Sequence, residues 1–278
     1  MALDLTNAGT IKYVSLPSGK VKYNVAGSGP AVIFLHGSGP GATGWSNFGP
    51  NMVELAERFT CYAPDMPGWG DSDPVAPGER NHASAALEFM DELGLDRAAF
   101  VGNSMGGATS IRFAVENPQR LSHLITMGAG VRETKIFGAG DGPTEGLKIL
   151  RKGYRQPSME TMLELVDVMS YDSGEHREER ARARYEVTVA HPEHTENFLA
   201  AERNPRDFPP EEALAGITAP TLVIHGRDDR VVHYENGLRL CAVIPNSRLY
   251  LINRCGHWAQ VEHASEFNRI VADFIVNN

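Results

Sequence analysis

Gly102-Asn103-Ser104-Met105-Gly106 closes an apolar run that begins at Ala98, and it sets a serine between two glycines at a spacing suited to nucleophilic chemistry. A sharp strand-to-helix turn thrusts the serine hydroxyl above a sheet and leaves no room for a Cβ on either side, which is why glycine flanks it. The helix N-terminus behind such a serine favours developing negative charge. The pattern is short and glycine-rich chains produce it by accident, so its weight depends on partners elsewhere in the chain.

A serine nucleophile needs a base, and neutral imidazole near pH 7 accepts a proton and returns it. The chain has ten histidines. His257 stands out because Asn253-Arg254-Cys255-Gly256-His257-Trp258 lies between a late apolar strand and a helix. His36 falls in a glycine-rich loop and His225 ends a strand. His82, His123, His176, His191, His194, His233 and His263 read as solvated positions on helices or loops. The third member should be an acid after the preceding strand, and Gly226-Arg227-Asp228-Asp229 offers two. The Gly-x-x-Asp spacing selects Asp229 to hold the imidazole tautomer, with Asp228 as the alternative. Asp65, among Pro and Gly, reads as a turn residue.

After Ala31 to Leu35 comes His36-Gly37-Ser38-Gly39-Pro40-Gly41-Ala42, a loop able to aim a backbone N–H at an oxyanion. The Ser38 and Met105 amides are the expected donors. A glycine-rich loop can also cradle phosphate, but neither Gly-x-Gly-x-x-Gly nor a lysine-bearing phosphate loop is present.

These residues require an alternating sheet to carry them. Strand patterns recur at 11–16, 21–26, 31–36, 60–64, 98–102, 121–127, 221–225 and 248–252. Helical patterns at 81–93, 104–117, 234–243 and 263–276 fall between or after them. The rhythm breaks from 133 to about 207, a charged and Met-rich stretch with helical patterns only. The expectation is an α/β fold: a mainly parallel sheet opened by a hairpin, flanked by helices and carrying a helical cap. Residues 1–132 and 208–278 would form the core and 133–207 the cap.

Composition narrows the setting. A chain of 278 residues with 42% hydrophobic content is long enough for a packed core. No apolar run nears the ~20 residues of a membrane span, and the first residues lack signal-peptide character, so a cytoplasmic protein is expected. Cys61, Cys241 and Cys255 are too few and scattered for a disulfide framework or zinc site, and they read as buried small residues. A net charge of −9 disfavours nucleic acid and anionic membranes, and it offers no long-range attraction to an anionic substrate. An anion would have to be held by a local arginine.

The order Ser104, Asp229, His257 is that of α/β-hydrolases. The His36 to Ala42 loop with Trp45-Ser46-Asn47, Gly102 to Ala108, and Cys255 to Gln260 together resemble the narrower group of meta-cleavage product hydrolases. The likeness extends to Pro143 to Lys148, Tyr171-Asp172 and Pro192-Glu193-His194. It implies water-driven cleavage of a carbon-carbon bond in a 2-hydroxy-6-oxo-hexa-2,4-dienoate, a ring-fission product of bacterial aromatic degradation, without cofactor or metal. It also implies a homo-oligomer.

The resemblance further implies a cap arginine on the dienoate carboxylate. Pro192-Glu193-His194 fixes the register so that Arg184 is the match, where the charge run Arg180 to Glu186 alone reads as a solvated face. Gly37, Gly39, Asn47, Asn103 and Trp258 match further contacts at that end. Met169 and Val231 match tail-pocket positions where relatives often carry phenylalanine, which slightly favours an alkyl tail. A serine esterase of the same fold would use the same triad, and a non-catalytic receptor would not need one.

Overall fold

The computed structural model describes residues 5–130, 142–201 and 208–278. Its eight strands form one sheet in the order β1-β2-β4-β3-β5-β6-β7-β8. They are β1 (Ile11–Leu16), β2 (Gly19–Ala26), β3 (Ala31–Leu35), β4 (Thr60–Pro64), β5 (Ala98–Asn103), β6 (Leu121–Met127), β7 (Thr221–Gly226) and β8 (Ser247–Ile252). β1 and β2 form the opening hairpin, β2 runs antiparallel to β4, and every later pairing is parallel. The expected strands therefore stand, with ends shifted by a residue or two.

Side chains alternate across the sheet as a period of two requires. Ile33, Leu35, Phe100, Leu124 and Val223 face one helical layer, and Val32, Phe34, Val101, Ile125 and Ile224 face the other. The helices are α1 (Asn7–Thr10), α2 (Gly44–Leu55), α3 (His82–Glu92), α4 (Met105–Glu116), α5 (Glu145–Arg155), α6 (Met159–Met169), α7 (Arg177–Ala190), α8 (Pro192–Ala201), α9 (Glu211–Leu214), α10 (Glu235–Val243), α11 (Ala259–Glu262) and α12 (Ala264–Asn277). α3, α4 and α10 pack on the first face through Phe89, Ile111 and Leu240, and α2 and α12 on the second through Phe48 and Phe267.

α2 is absent from the sequence pattern because Gly44, Gly49 and Pro50 break its periodicity. It forms because Thr43 and Ser46 make a reciprocal capping box at its start. Between β6 and β7 the regular elements of the described residues are all helices, α5 to α9, of which α5 to α8 make up the helical layer. A third apolar cluster joins this layer to the core: Leu150, Tyr154, Met162, Leu165 and Met169 pack with Val231 and Trp258. The expected boundaries at 132/133 and 207/208 lie outside the described residues.

Three readings need correction, the first being His82, whose ring is not solvated: both its nitrogens are buried and it packs against Trp69. Asp65 is more than a turn residue: it is fully buried, ion-paired with buried Lys22 at 3.5 Å, and accepts the Gly44 and Asp71 amides. His194 is buried rather than solvated, its Nε2 donating to Gly70 O at 3.1 Å. The three cysteines are free, with Cys61 and Cys255 buried and Cys241 only half-buried.

Candidate active site

The glycines around Ser104 meet the steric demand that their spacing suggests. A Cβ on Gly102 would fall 2.3 Å from Gly106 O, and one on Gly106 would fall 2.0 Å from Leu35 O. Between them Ser104 is held at φ 53° and ψ −112°, an uncommon conformation for a residue with a Cβ. Its amide donates to Met127 O at 2.8 Å, tying the elbow to β6. Strain of this kind costs about 1–3 kcal/mol and persists where the surrounding fold enforces it.

His257 reaches the elbow from the loop after β8. Its Nδ1 lies 2.7 Å from Asp229 Oδ2, and both residues are buried. The second oxygen, Asp229 Oδ1, accepts the Val231 and Val232 amides at 2.7 and 2.9 Å. Burial pushes the Asp229 pKa up, but His257 and His225 together reverse this and hold the carboxyl well below its ordinary range. An ionised Asp229 fixes the His257 tautomer with Nδ1 protonated and leaves Nε2 as the basic nitrogen. Asp228 points elsewhere: it accepts the Arg254 amide at 3.0 Å and is partly exposed.

The backbone around His257 is fixed by unexpected partners. Met169 O accepts the His257 and Trp258 amides at 2.7 and 3.3 Å, so Met169 acts here through its main chain as well as its packing. Asn103 Nδ2 donates to His257 O at 3.1 Å. Glu262 accepts from Gly256 N at 2.8 Å and Tyr171 N at 2.6 Å, joining this loop to the segment after α6. Gly128 lies beside the imidazole, where a Cβ would come within 2.8 Å of the ring.

The His36 to Ala42 loop lies against the nucleophile. A Cβ on Gly37 would sit 3.3 Å from Ser104 Cβ and 3.0 Å from Asn103 Oδ1. His36 is fully buried and has both ring nitrogens engaged: Nδ1 donates to Gly37 O at 2.8 Å and Nε2 accepts Met66 N–H at 2.8 Å. Burial first of all lowers its pKa to about 4, so the ring is neutral at pH 7. Gly37 O and Ser38 N–H belong to one trans peptide, so His36 orients the amide expected to donate to an oxyanion. The other expected donor, Met105 N–H, is the first amide of α4.

Across this loop stands Arg184 of α7. It is 5% exposed, its Nη1 donates to Pro40 O at 3.0 Å, and its guanidinium carbon lies 4.6 Å above the Trp258 ring. Burial lowers its pKa to about 10, which still leaves it charged at neutral pH. Among the described residues no carboxylate pairs with it, although a buried charge is costly without a partner. Glycine is required beside it: a Cβ on Gly39 would lie 3.0 Å from Nη1, and one on Gly41 would lie 2.1 Å from Arg184 O. Arg180 and Arg182 engage Ser173 O and Glu178 on the outer side.

Asn47 is buried, with its amide nitrogen 3.3 Å from Thr43 O and its Oδ1 without a partner, and Asn103 Oδ1 is likewise buried and unpaired. Val231 and Met169 are buried in the cluster shared by α5, α6 and Trp258, and a Cβ on Gly146 would meet Val231 Cγ2 at 2.5 Å. The structure thus brings Ser104, Asp229, His257, the Ser38 loop and Arg184 to one end of the sheet. Among the described residues, His191, Glu193 and His194 have donor types and spacing suited to a metal. Two of them link the start of α8 to the loop after β4: His191 Nε2 lies 3.2 Å from Asp71 Oδ1, and His194 Nε2 donates to Gly70 O.

The sequence reading passed over His225, whose Nε2 lies 3.4 Å from Asp229 Oδ2, and over Tyr154 and Trp69, which approach the Ser38 loop. Only the strand-end position of His225 hinted at its place.

Residues 30–264 match the family model described as alpha/beta hydrolase fold. A 2-hydroxy-6-oxononadienedioate/2-hydroxy-6-oxononatrienedioate hydrolase of Cupriavidus pinatubonensis is 44% identical over 243 residues, covering 85% of this chain and 83% of the relative. A 2-hydroxy-6-oxo-6-phenylhexa-2,4-dienoate hydrolase of Burkholderia cepacia is 41% identical, covering 85% and 84%. Among solved structures, a variant of the meta-cleavage product hydrolase from Pseudomonas fluorescens IP01, complexed with acetates, is 32% identical with a TM-score of 0.83, covering 96% of this chain and 98% of that one. This chain belongs to the alpha/beta hydrolase fold family and, within it, to the meta-cleavage product hydrolases.

Proposed function

We propose that this protein hydrolyses the bond between carbons 5 and 6 of a 2-hydroxy-6-oxo-hexa-2,4-dienoate-type ring-fission product in bacterial aromatic degradation. The products are 2-hydroxypenta-2,4-dienoate and a carboxylic acid. The observation that carries the reading is Arg184: a buried guanidinium without a carboxylate partner among the described residues, set against the glycine-rich loop beside Ser104. A planar guanidinium suits a carboxylate and its neighbouring oxygen together. A simple ester has no group that requires it.

In this reading Arg184, Asn47, Asn103, Gly37, Gly39 and Trp258 surround the dienoate end. Proton movement assisted by His257 converts the dienol to its keto tautomer, whose conjugated carbonyl accepts the electrons released at carbon 5. Ser104 Oγ attacks the carbon 6 ketone as His257 Nε2 takes its proton, and the oxyanion faces the Ser38 and Met105 amides. Cleavage releases the dienoate and leaves an acyl-enzyme that water hydrolyses through the same base. Met169 and Val231 face the substituent on carbon 6, residues 133–207 act as a cap, and the protein works as a cytoplasmic homo-oligomer. The family resemblance supports the assembly.

The test is a panel of coloured ring-fission dienoates with methyl, isopropyl, phenyl and carboxyethyl tails, followed by loss of absorbance and identification of both acids. Stoichiometric formation of 2-hydroxypenta-2,4-dienoate is expected from at least one of them. Hydrolysis of nitrophenyl esters with every dienoate left intact would contradict the reading and favour the esterase.

A further inference from the structure

Two hydrogen-bond relays start from the same loop and grip consecutive carbonyls around the Ser38 amide. The first passes from Met66 N–H to His36 and on to Gly37 O. The second begins at the Trp69 indole, which donates to Tyr154 OH at 3.0 Å, and the Tyr154 hydroxyl donates to Ser38 O at 2.5 Å. Tyr154 belongs to α5, in the helical layer between β6 and β7, whereas Trp69 and Ser38 belong to the core. The tyrosine is 3% exposed and its ring stacks on Phe198 of α8 at a centroid distance of 3.9 Å, so its position depends on the seating of that layer.

From this geometry we infer that Tyr154 is a positioning residue for the oxyanion hole and makes the hole complete only when the α5–α8 layer is seated. The inference rests on the proposed reading in one respect, that Ser38 N–H faces the oxyanion. Gly37, Gly39 and Gly41 give this loop little stiffness of its own, and a donor aimed at developing charge is effective only if it is held before the reaction begins. His36 fixes the plane of the peptide that contains Ser38 N–H. Tyr154 fixes the next plane, so rotation about Ser38 is closed from both sides. The phenol suits the task because one hydroxyl both accepts from Trp69 and donates to Ser38 O. Burial raises its pKa, so it stays a donor throughout the working pH range.

The experiment compares the full-length protein with Tyr154→Phe, Trp69→Phe and the double variant. The probes are a ring-fission dienoate that the wild type cleaves, nitrophenyl acetate, and single-turnover phosphonylation of the serine by a nitrophenyl alkylphosphonate. Loss of a whole oxyanion donor costs about 10²–10³ in kcat, so loosening one should cost less. Tyr154→Phe is expected to lower kcat and the phosphonylation rate by about tenfold or more, with KM within about threefold and the acid limb of the pH profile unmoved. Trp69→Phe should lose less, and the double variant should be no worse than Tyr154→Phe, because both act through one hydroxyl.

Rates within about twofold of wild type, with only thermal stability reduced, would overturn the inference, as would additive losses. If Tyr154→Phe does not fold, Trp69→Phe decides: a kcat loss of about threefold or more at constant KM supports the relay and an unchanged kcat overturns it. Slower phosphonylation by Tyr154→Phe in a protein inert to every dienoate would leave the relay standing and remove the proposed substrate. A wild type that the phosphonate does not modify would overturn the relay itself.

Discussion

His257 Nδ1 and Asp229 Oδ2 lie 2.7 Å apart with both residues buried, while the neighbouring Asp228 turns outward to the Arg254 amide. Two adjacent aspartates therefore have separable duties. Asp229→Asn should reduce kcat by about 10²-fold or more, because the amide no longer stabilises the imidazolium or fixes its tautomer. Asp228→Asn should stay within about fivefold of wild type. Steady-state kinetics of both variants on one dienoate checks this, and a more severe loss from Asp228→Asn would reassign the acid.

Much of this arrangement is legible in the sequence because it depends on local chemistry. Glycine at 102 is dictated by a clash within the elbow itself and glycine at 106 by the close approach of Leu35 O, while the strand-loop-helix context singles out Asp229 and His257 without long-range information. Arg184 was legible only through family resemblance: its helix carries Arg180 and Arg182 on an outer face, and nothing in their spacing says which arginine is buried. Contacts between distant segments outside the triad, its oxyanion loop and Arg184 were not legible. The Tyr154 bond to Ser38 spans 116 residues, and Met169 serves His257 through a backbone carbonyl, which no side-chain pattern encodes. Helix α2 was hidden by Gly44, Gly49 and Pro50, since its capping box outweighs a poor propensity.

The tail pocket gives a second prediction. Val231 is packed against Gly146 and the start of α5, where added volume has little space on that side. Val231→Phe should shift the relative kcat/KM for methyl-, isopropyl- and phenyl-tailed dienoates by no more than about two orders of magnitude, since such pocket changes are worth ~1–3 kcal/mol. Preferences unchanged across the panel would place Val231 outside the pocket.

His36 makes stability sensitive to acid. Its pKa falls from 6.5 to about 4 on folding, so the unfolded chain binds more protons between these values. Its contribution is therefore fully present above pH 6.5 and is lost as pH falls through about 4, with a slope of ~1.4 kcal/mol per pH unit inside the window. Denaturant unfolding of wild type and His36→Gln at pH 7 and pH 4.5 should show a stability difference that shrinks in acid. A difference that grows in acid would mean that the buried imidazole is already charged at pH 7.

The central claim is that the site is built around an anion held by Arg184, and the most direct measurement compares Arg184→Gln with Arg180→Gln and Arg182→Gln on a ring-fission dienoate and on nitrophenyl acetate. The account predicts that only Arg184→Gln loses dienoate cleavage, by about 10²-fold or more in kcat/KM, while ester hydrolysis changes little, and that Arg184→Lys recovers only part of the loss. Equal effects of the three glutamine variants, or an equal loss on both substrates after Arg184→Gln, would contradict it.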